Sequence, residues 1–349
     1  MPCNPVSRSG IIASEPAHPK SGAEFRTGIV IQSSAGHCRV VEAGESLEAG
    51  REWLCRLRGR LKKGPKAAQM LTVVGDRVRF APVEEAVDPP QGIIEEVLPR
   101  RSKVSRQASR RSGGNVEQVL MANLDQVVAV QSLEDPSPQK GFVDRLLVAA
   151  ERFGVEGVLV MNKWDLADPD ETTSVWDYYT GLGYRVIRTS AETGLGLDEL
   201  QEALRDRLSL LIGASGVGKS SLLNAIQPGL RLRVGEVTEK TGLGRHTTTR
   251  TQLFPLAGGG FIADSPGIRG FDPWDIDPID VDGYFPDFGE ATLECRFRTC
   301  LHRDEPDCGV KEAVAAGRIP VWRHAAYLML VKDLEERKER LGYRGRSGS

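Results

Sequence analysis

Apolar and polar positions divide the chain into two regimes. From Phe25 to Pro99 the apolar residues recur in five short runs: FRTGIVI, HCRVVEA, EWLCRLR, VVGDRVRF and GIIEEVL. Turn residues such as Ala35-Gly36, Gly64-Pro65 and Pro89-Pro90 punctuate the runs, and no helical period intervenes. That spacing predicts a small β-barrel of the oligonucleotide-binding (OB) type, although other small barrels fit nearly as well. Past residue 116 the period changes. QVVAVQS at 126–132 reads as a buried strand, and the next apolar stretch places Phe142, Leu146, Ala149, Ala150 and Phe153 on one face of a helix from Gly141 to Phe153. A second buried strand from Val155 to Met161 follows, then WDYYTGLGY, the strand RVIRTS, the helix LDELQEALRDRL and the strand LSLLI. Strands alternating with helices predict α/β layering around a mostly parallel sheet. From Ile319 onward, VWRHAAYLMLVKDLEERKER reads as a helix with an apolar first half and a charged second half.

The strand LSLLI runs into Gly213-Ala214-Ser215-Gly216-Val217-Gly218-Lys219-Ser220, a Gly-x-x-x-x-Gly-Lys-Ser sequence, and Ser221 opens a helical pattern. Strand, glycine-rich loop and helix together form a triphosphate cradle. Side chains at 213, 216 and 218 would keep the backbone N–H groups of residues 214–219 from closing on phosphate oxygens, and glycine removes the obstruction. Lys219 reaches the terminal phosphates as a point charge, Ser220 offers its hydroxyl to Mg²⁺, and the helix start adds its positive dipole end.

The other strand ends complete a nucleotide site. The strand ending at Met161 runs into Asn162-Lys163-Trp164-Asp165, and such sheets hold ligand groups at carboxyl ends. A carboxylate at 165 accepts from N1–H and the 2-amine of guanine, a pairing that adenine does not offer, so the base is guanine. Ser190-Ala191 ends the next strand, where the Ala191 N–H is placed to donate to guanine O6. Residues 240–249 (KTGLGRHTTT) form a glycine-punctuated loop whose threonines are able to complete a Mg²⁺ shell. In FIADSPG, Asp264 holds Mg²⁺ through the water shell and the Gly267 N–H senses the γ-phosphate. Many GTPases carry a water-orienting glutamine after that glycine, but here Ile268 stands there. His246 is the nearest polar substitute, and it is expected to position or polarise the attacking water.

Composition excludes little. The 349 residues are 40% hydrophobic and 27% charged with a net charge of −2, as in an ordinary soluble globular protein. The average hides basic stretches at 51–66 and 99–112 and an acidic one at 272–287, a separation that suggests a polyanion-facing side. No apolar run reaches membrane-span length, and residues 1–24 lack a signal-peptide core, so a soluble cytoplasmic protein with a disordered proline-rich tail is expected. Cys295, Cys300, His302 and Cys308 supply three thiolates and an imidazole at tight spacing, the donor set of a closed structural zinc site. Reduced core cysteines are the alternative.

The order of these motifs is itself informative. Asn162–Asp165 and Ser190-Ala191 precede Gly213, the reverse of the usual GTPase order, which a fold survives if its original termini lie close together and a short join, here 204–208, connects them. With Gly213–Ser220, Gly-Arg-His-Thr-Thr-Thr at 244–249, Asp264–Gly267, Asn162–Asp165 and a C-terminal Cys-x4-Cys-x-His-x5-Cys, residues 25–335 resemble the circularly permuted GTPases that depend on the small ribosomal subunit. The resemblance implies a multidomain chain: OB-fold barrel at 25–99, basic linker at 100–115, circularly permuted α/β P-loop GTPase domain at 116–272, and zinc-binding domain with C-terminal helix at 273–349. It further implies GTP hydrolysis stimulated by the 30S subunit, contact with 16S rRNA in late maturation, one Zn²⁺, Mg²⁺ with GTP or GDP, and a monomer. By the family's pattern His246 matches the proposed catalytic histidine and Thr248 the Mg²⁺-binding loop threonine. The proline-rich extension and the short join depart from the pattern. Two other readings stay open: a GTP-state-dependent RNA-binding scaffold with incidental hydrolysis, which Ile268 favours, and a P-loop ATPase or kinase with an RNA-binding appendage.

Overall fold

The computed structural model describes residues 24–34, 36–43, 47, 50–58, 72–107, 117–138, 140–166, 173–228, 251–263, 273 and 275–341. Five strands, β1 (Arg26–Ser34), β2 (His37–Glu42), β3 (Glu52–Leu57), β4 (Arg77–Glu84) and β5 (Gln91–Val97), close into a barrel in the order β1-β2-β3-β5-β4. β3 and β5 pair in parallel and every other pair is antiparallel. Alternation fills the interior with Val30, Val40, Trp53, Cys55, Val78, Phe80 and Ile94. The fourth strand starts at Arg77, later than the apolar run VVGDRVRF suggests. Its first four residues turn instead, because the buried Asp76 carboxylate accepts the Val73 N–H at 2.8 Å.

The stretch expected to be a basic linker is partly strand. Lys103–Gln107 forms β6 and pairs antiparallel with β7 (Glu117–Ala122). Arg100 anchors this hairpin to the barrel by donating to both oxygens of Asp76, at 2.7 and 2.9 Å. The Ala122 N–H donates to the Val74 carbonyl at 2.9 Å, and the Asn123 side chain to that of Gly75 at 2.9 Å.

The α/β layer is a six-stranded sheet in the order β10-β9-β8-β11-β13-β12, built from β8 (Gln126–Ser132), β9 (Glu156–Asn162), β10 (Arg185–Arg188), β11 (Leu208–Ile212), β12 (Leu253–Pro255) and β13 (Phe261–Ala263). Only β12 runs antiparallel to its neighbour. Covered on both faces, the central strands are near-continuous apolar runs, and all seven residues of β8 are buried. The chain leaves β8 through α1 (Lys140–Phe153) toward β9, and leaves β11 through α4 (Lys219–Ile226) toward the other edge, so the carboxyl ends of β8 and β11 flank the switch in strand order. α2 (Thr173–Gly181) and α3 (Leu197–Leu204) complete the layer. The predicted helix from 197 stops at Leu204, because Leu208 already belongs to β11. The three-residue join at 205–207 is pinned by the Phe261 N–H, which donates to the Arg207 carbonyl at 2.8 Å.

The C-terminal part consists of 3₁₀ turns at Pro278–Tyr284 and Pro286–Phe288, the short helices α5 (Gly289–Leu293) and α6 (Gly309–Ala315), and the long α7 (Val321–Leu341). Val281, Phe285, Phe288, Val310, Ile319, Tyr327 and Leu330 make its core, and Val148 of α1 joins the same cluster. The apolar half of α7 thus packs on the cysteine segment and on α1. Most of the acidic stretch is consumed in seating this part: Asp275 pairs with Arg152, Asp277 with Lys338, Asp282 with His302 and Asp287 with Arg323. No helix among the described residues is long and apolar enough to cross a membrane.

Candidate nucleotide site and metal centre

The phosphate loop sits where β11 meets α4. A Cβ at Gly213 would lie 2.3 Å from the Val130 carbonyl oxygen of the neighbouring β8, so only glycine lets the loop leave the sheet there. Gly218 has φ +89° as the N-cap of α4, and a Cβ on it would meet the Asn162 side-chain nitrogen at 2.2 Å. Between them Val217 is buried and anchors the loop in the core beside Leu222 and Leu223, while Ala214 packs at its edge and Ser215 and Gly216 are exposed. The Lys219 ammonium donates to the carbonyls of Gly213 and Ala214, both at 2.8 Å, which holds it across the loop mouth. Ser220 and Ser221 follow in the first turn of α4, whose N-terminal end carries the positive pole of the helix dipole.

The base-side motif meets this loop directly. Asn162 ends β9 with its side chain buried, and its Nδ2 donates to the Val217 carbonyl at 2.8 Å. Lys163 adopts φ +60° and donates through Nζ to the Asp135 carbonyl, on the segment after β8. The Trp164 N–H donates to Thr189 at 3.0 Å, and the Asp165 carboxylate beyond it is exposed. Ser190 is fully buried. Its Oγ accepts the Thr193 N–H at 3.1 Å and its carbonyl accepts the Gly194 N–H at 3.0 Å, which folds a tight turn around Ala191. Asn162, Lys163, Asp165, Ser190 and Ala191 therefore gather at the carboxyl ends of β9 and β10, next to residues 213–221. His246, Thr248, Asp264 and Gly267 lie outside the described residues.

Cys295, Cys300, His302 and Cys308 present ligand atoms that all lie within 4.8 Å of one another. Cys295 Sγ is 3.8 Å from Cys308 Sγ, and His302 Nδ1 is 3.5 and 3.4 Å from those sulfurs. A tetrahedral ion with metal–sulfur bonds near 2.3 Å and metal–nitrogen bonds near 2.05 Å requires edges of about 3.8 and about 3.6 Å. Cys295, His302 and Cys308 fit three corners of such an ion, with Nδ1 as the imidazole donor, and Cys300 Sγ lies within 4.8 Å of each of them. The other ring nitrogen, Nε2, lies 3.3 Å from Asp282, and the His302 carbonyl accepts from His324 Nε2 at 2.8 Å. Outer partners of this kind fix a ligand histidine's tautomer and ring orientation.

Sequence spacing did not point to Asp282, nor to a buried ion cluster behind the site. Arg323 of α7 is 1% exposed and donates to Asp144 of α1 and, at 2.9 Å, to Asp287. Tyr179 donates to Asp144 at 2.6 Å and Tyr178 to Asp287 at 2.9 Å. The available signals were an aspartate on the side of α1 opposite Phe142 and Leu146, where Leu147 and Val148 are also buried, and one arginine within the apolar half of α7.

Comparison with known proteins accords with this geometry. Residues 97–274 match the RsgA GTPase family. The chain is 40% identical over 318 residues to the small ribosomal subunit biogenesis GTPase RsgA of Thermotoga maritima, covering 90% of this chain and 99% of that protein. Against the protein of the same name from Moorella thermoacetica it is 42% identical over 289 residues, covering 83% and 92%. The crystal structure of YjeQ from T. maritima superposes with a TM-score of 0.69 at 36% identity over 89% of this chain and 99% of that one. YloQ, described as a circularly permuted GTPase, gives 0.65 at 29% identity over 92% and 99%. With a closed five-stranded barrel, a P-loop sheet in permuted order and a C-terminal Cys/His cluster, the chain belongs to the RsgA GTPase family.

Proposed function

We propose that this GTP hydrolase is switched on by the 30S ribosomal subunit, contacts 16S rRNA through its barrel and acts late in maturation of that subunit, as a monomer in the cytoplasm. The observation that carries the reading is the Asn162–Val217 hydrogen bond, which makes one crevice of two motifs written in reversed order. The relatives' names supply the ribosomal context. In that crevice Asp165 selects guanine, Ala191 donates to its O6, and residues 213–221 hold the phosphates. Ser220, Thr248 and Asp264 would hold Mg²⁺, which when bound would offset phosphate charge. His246 places the attacking water and Gly267 senses the γ-phosphate. On this reading both contacts are lost when that phosphate departs. Zn²⁺ at the Cys3His set stabilises a segment with little apolar material of its own.

The test is GTP hydrolysis by the full chain with and without purified 30S subunits, in wild type and His246→Ala. A steep rise in wild type that His246→Ala loses while still binding GTP is the expected result. Equal rates with and without subunits would favour the scaffold reading, in which hydrolysis is incidental.

A further inference from the structure

A second cleft, of about 520 Å³, opens where the β6–β7 hairpin, the end of α1 and the C-terminal part meet. Its volume falls within the usual range for ligand pockets, so it has room for a nucleotide unit. Arg100, Arg101, Lys103 and Arg152 line it against two carboxylates, Glu117 and Asp275, and Phe153 forms part of the wall with Ser102 and Ser105. None of these residues belongs to the GTP crevice.

Each cation already has a partner, and the partners set how easily it is recruited. Arg100 gives Nε and Nη2 to the buried Asp76, which fixes the guanidinium plane and leaves Nη1 outside that pair. Arg101 is 63% exposed and reaches Asp125 only through Nη2, at 3.2 Å. Lys103 pairs with Glu117 at 2.7 Å, and Arg152 pairs with Asp275. Solvent-facing pairs of this kind contribute little, so phosphate oxygens can displace them at small cost. Burial pushes the Glu117 carboxyl up, but bonds from Lys103 and Ser105 and the charges of Lys103 and Arg100 hold it below its ordinary value. Glu117 is thus ionised, and the lining holds four cations against two carboxylates, with Asp76 and Asp125 pairing Arg100 and Arg101 from outside it.

Cations alone would suit any phosphate, but an aromatic wall beside them suits a base as well. Single-stranded nucleic acid is held by this combination, a backbone-tracking basic groove with rings on which bases stack. We infer that the cleft receives an unpaired nucleotide of an RNA strand, with phosphates on Arg101, Lys103 and Arg152 and the base against Phe153. The choice of RNA rests on the ribosomal reading above, whereas the cleft's chemistry does not. Strand contact here would bear at once on the hairpin, on α1 of the GTPase layer and on the C-terminal part.

The test uses the full chain and a short unstructured RNA carrying 4-thiouridine, with affinity followed by fluorescence anisotropy across salt concentrations. Arg101→Ala/Lys103→Ala is expected to weaken binding roughly 10-fold and to lower the slope of log affinity against log salt by about 1.4, two single-strand contacts' worth. Phe153→Leu keeps apolar packing and is expected to cost about 5-fold or more through lost stacking. Photo-cross-linking should mark the peptide containing Phe153, and GDP binding by every variant should match wild type. An unchanged slope in the double variant overturns the inference. So does a slope that falls while Phe153→Leu has no effect, or competition by duplex RNA equal to that by the single strand. Stimulation by 30S subunits is measured separately, so failure of the ribosomal reading and failure of the cleft show up in different assays.

Discussion

The Asn162 side-chain nitrogen lies 2.8 Å from the carbonyl oxygen of Val217, 55 residues away, and this bond ties the Asn-Lys-x-Asp strand end to the glycine-rich loop. Both residues are buried, so removing the donor leaves a buried acceptor without its partner. That costs about 1–3 kcal/mol, and the loop pays it by shifting away from its phosphate-binding geometry. Asn162→Ala is expected to weaken GDP and GTP alike by about 5- to 150-fold in a fluorescent-nucleotide titration. Asn162→Asp should be at least as damaging, since it sets two acceptors against each other. An aspartate variant with wild-type affinity would rule out this role.

The same pair shows what was legible in the sequence. Glycine spacing, Lys219 and Asn162–Asp165 announced their chemistry because phosphate and guanine recognition constrain residue types at fixed offsets. The sheet was legible because strands buried on both faces must be apolar throughout, as β8 is. The hairpin at 103–107 was missed because a short polar strand whose register is set by anchoring to Asp76 has no periodicity to announce it. The acidic stretch read only as charge set apart from the basic stretches, because partners such as Arg152 and Lys338 are brought to it only by the fold. Asp282 was invisible for the same reason: its importance is its 3.3 Å approach to His302.

Gly218 tests the loop from the other side. Alanine there brings a Cβ to 2.2 Å from the Asn162 nitrogen at a φ of +89°, so both strain and the clash oppose it. Gly218→Ala is expected to lose nucleotide binding beyond 100-fold while the chain stays folded. Gly141→Ala in α1 meets nothing within 4 Å and should bind as wild type. Titration of both variants, with circular dichroism as the check on folding, distinguishes a local obstruction from a general intolerance of added methyl groups.

Asp282 should set metal affinity without being a ligand. Its carboxylate faces Nε2 of His302 while Nδ1 faces the thiolates, so it holds the tautomer that the ion needs. Asp282→Asn is expected to weaken zinc binding about 10- to 100-fold in a chelator competition, the range found for outer partners. Removing the metal from wild type should loosen the mostly polar loop between Cys295 and Cys308, while the apolar cluster of Phe285, Phe288, Val310 and Tyr327 keeps α5 and α6 in place. Unchanged zinc affinity in Asp282→Asn would mean that the carboxylate serves packing alone.

The Arg323 cluster joins α7 to α1 and to the turn at Asp287, and burial decides what its loss does. Arg323 stacks 4.3 Å from the Phe285 ring centre, and its guanidinium is shared between Asp144 and Asp287, all three side chains being at most 5% exposed. Removing one charge strands the others in a medium that cannot solvate them, so Arg323→Ala is expected to destabilise the fold by about 3–5 kcal/mol in denaturant unfolding. The attraction among the three is largely cancelled by the cost of desolvating them, so replacing all of them with apolar residues of similar volume should do far less harm. Arg323→Met/Asp144→Leu/Asp287→Leu is therefore expected to recover most of the lost stability, the freed Tyr178 and Tyr179 hydroxyls accounting for the remainder. If the triple variant proves as unstable as Arg323→Ala, the cluster holds the C-terminal part in place by net attraction. If it recovers, packing rather than net attraction among the charges holds the C-terminal part in place.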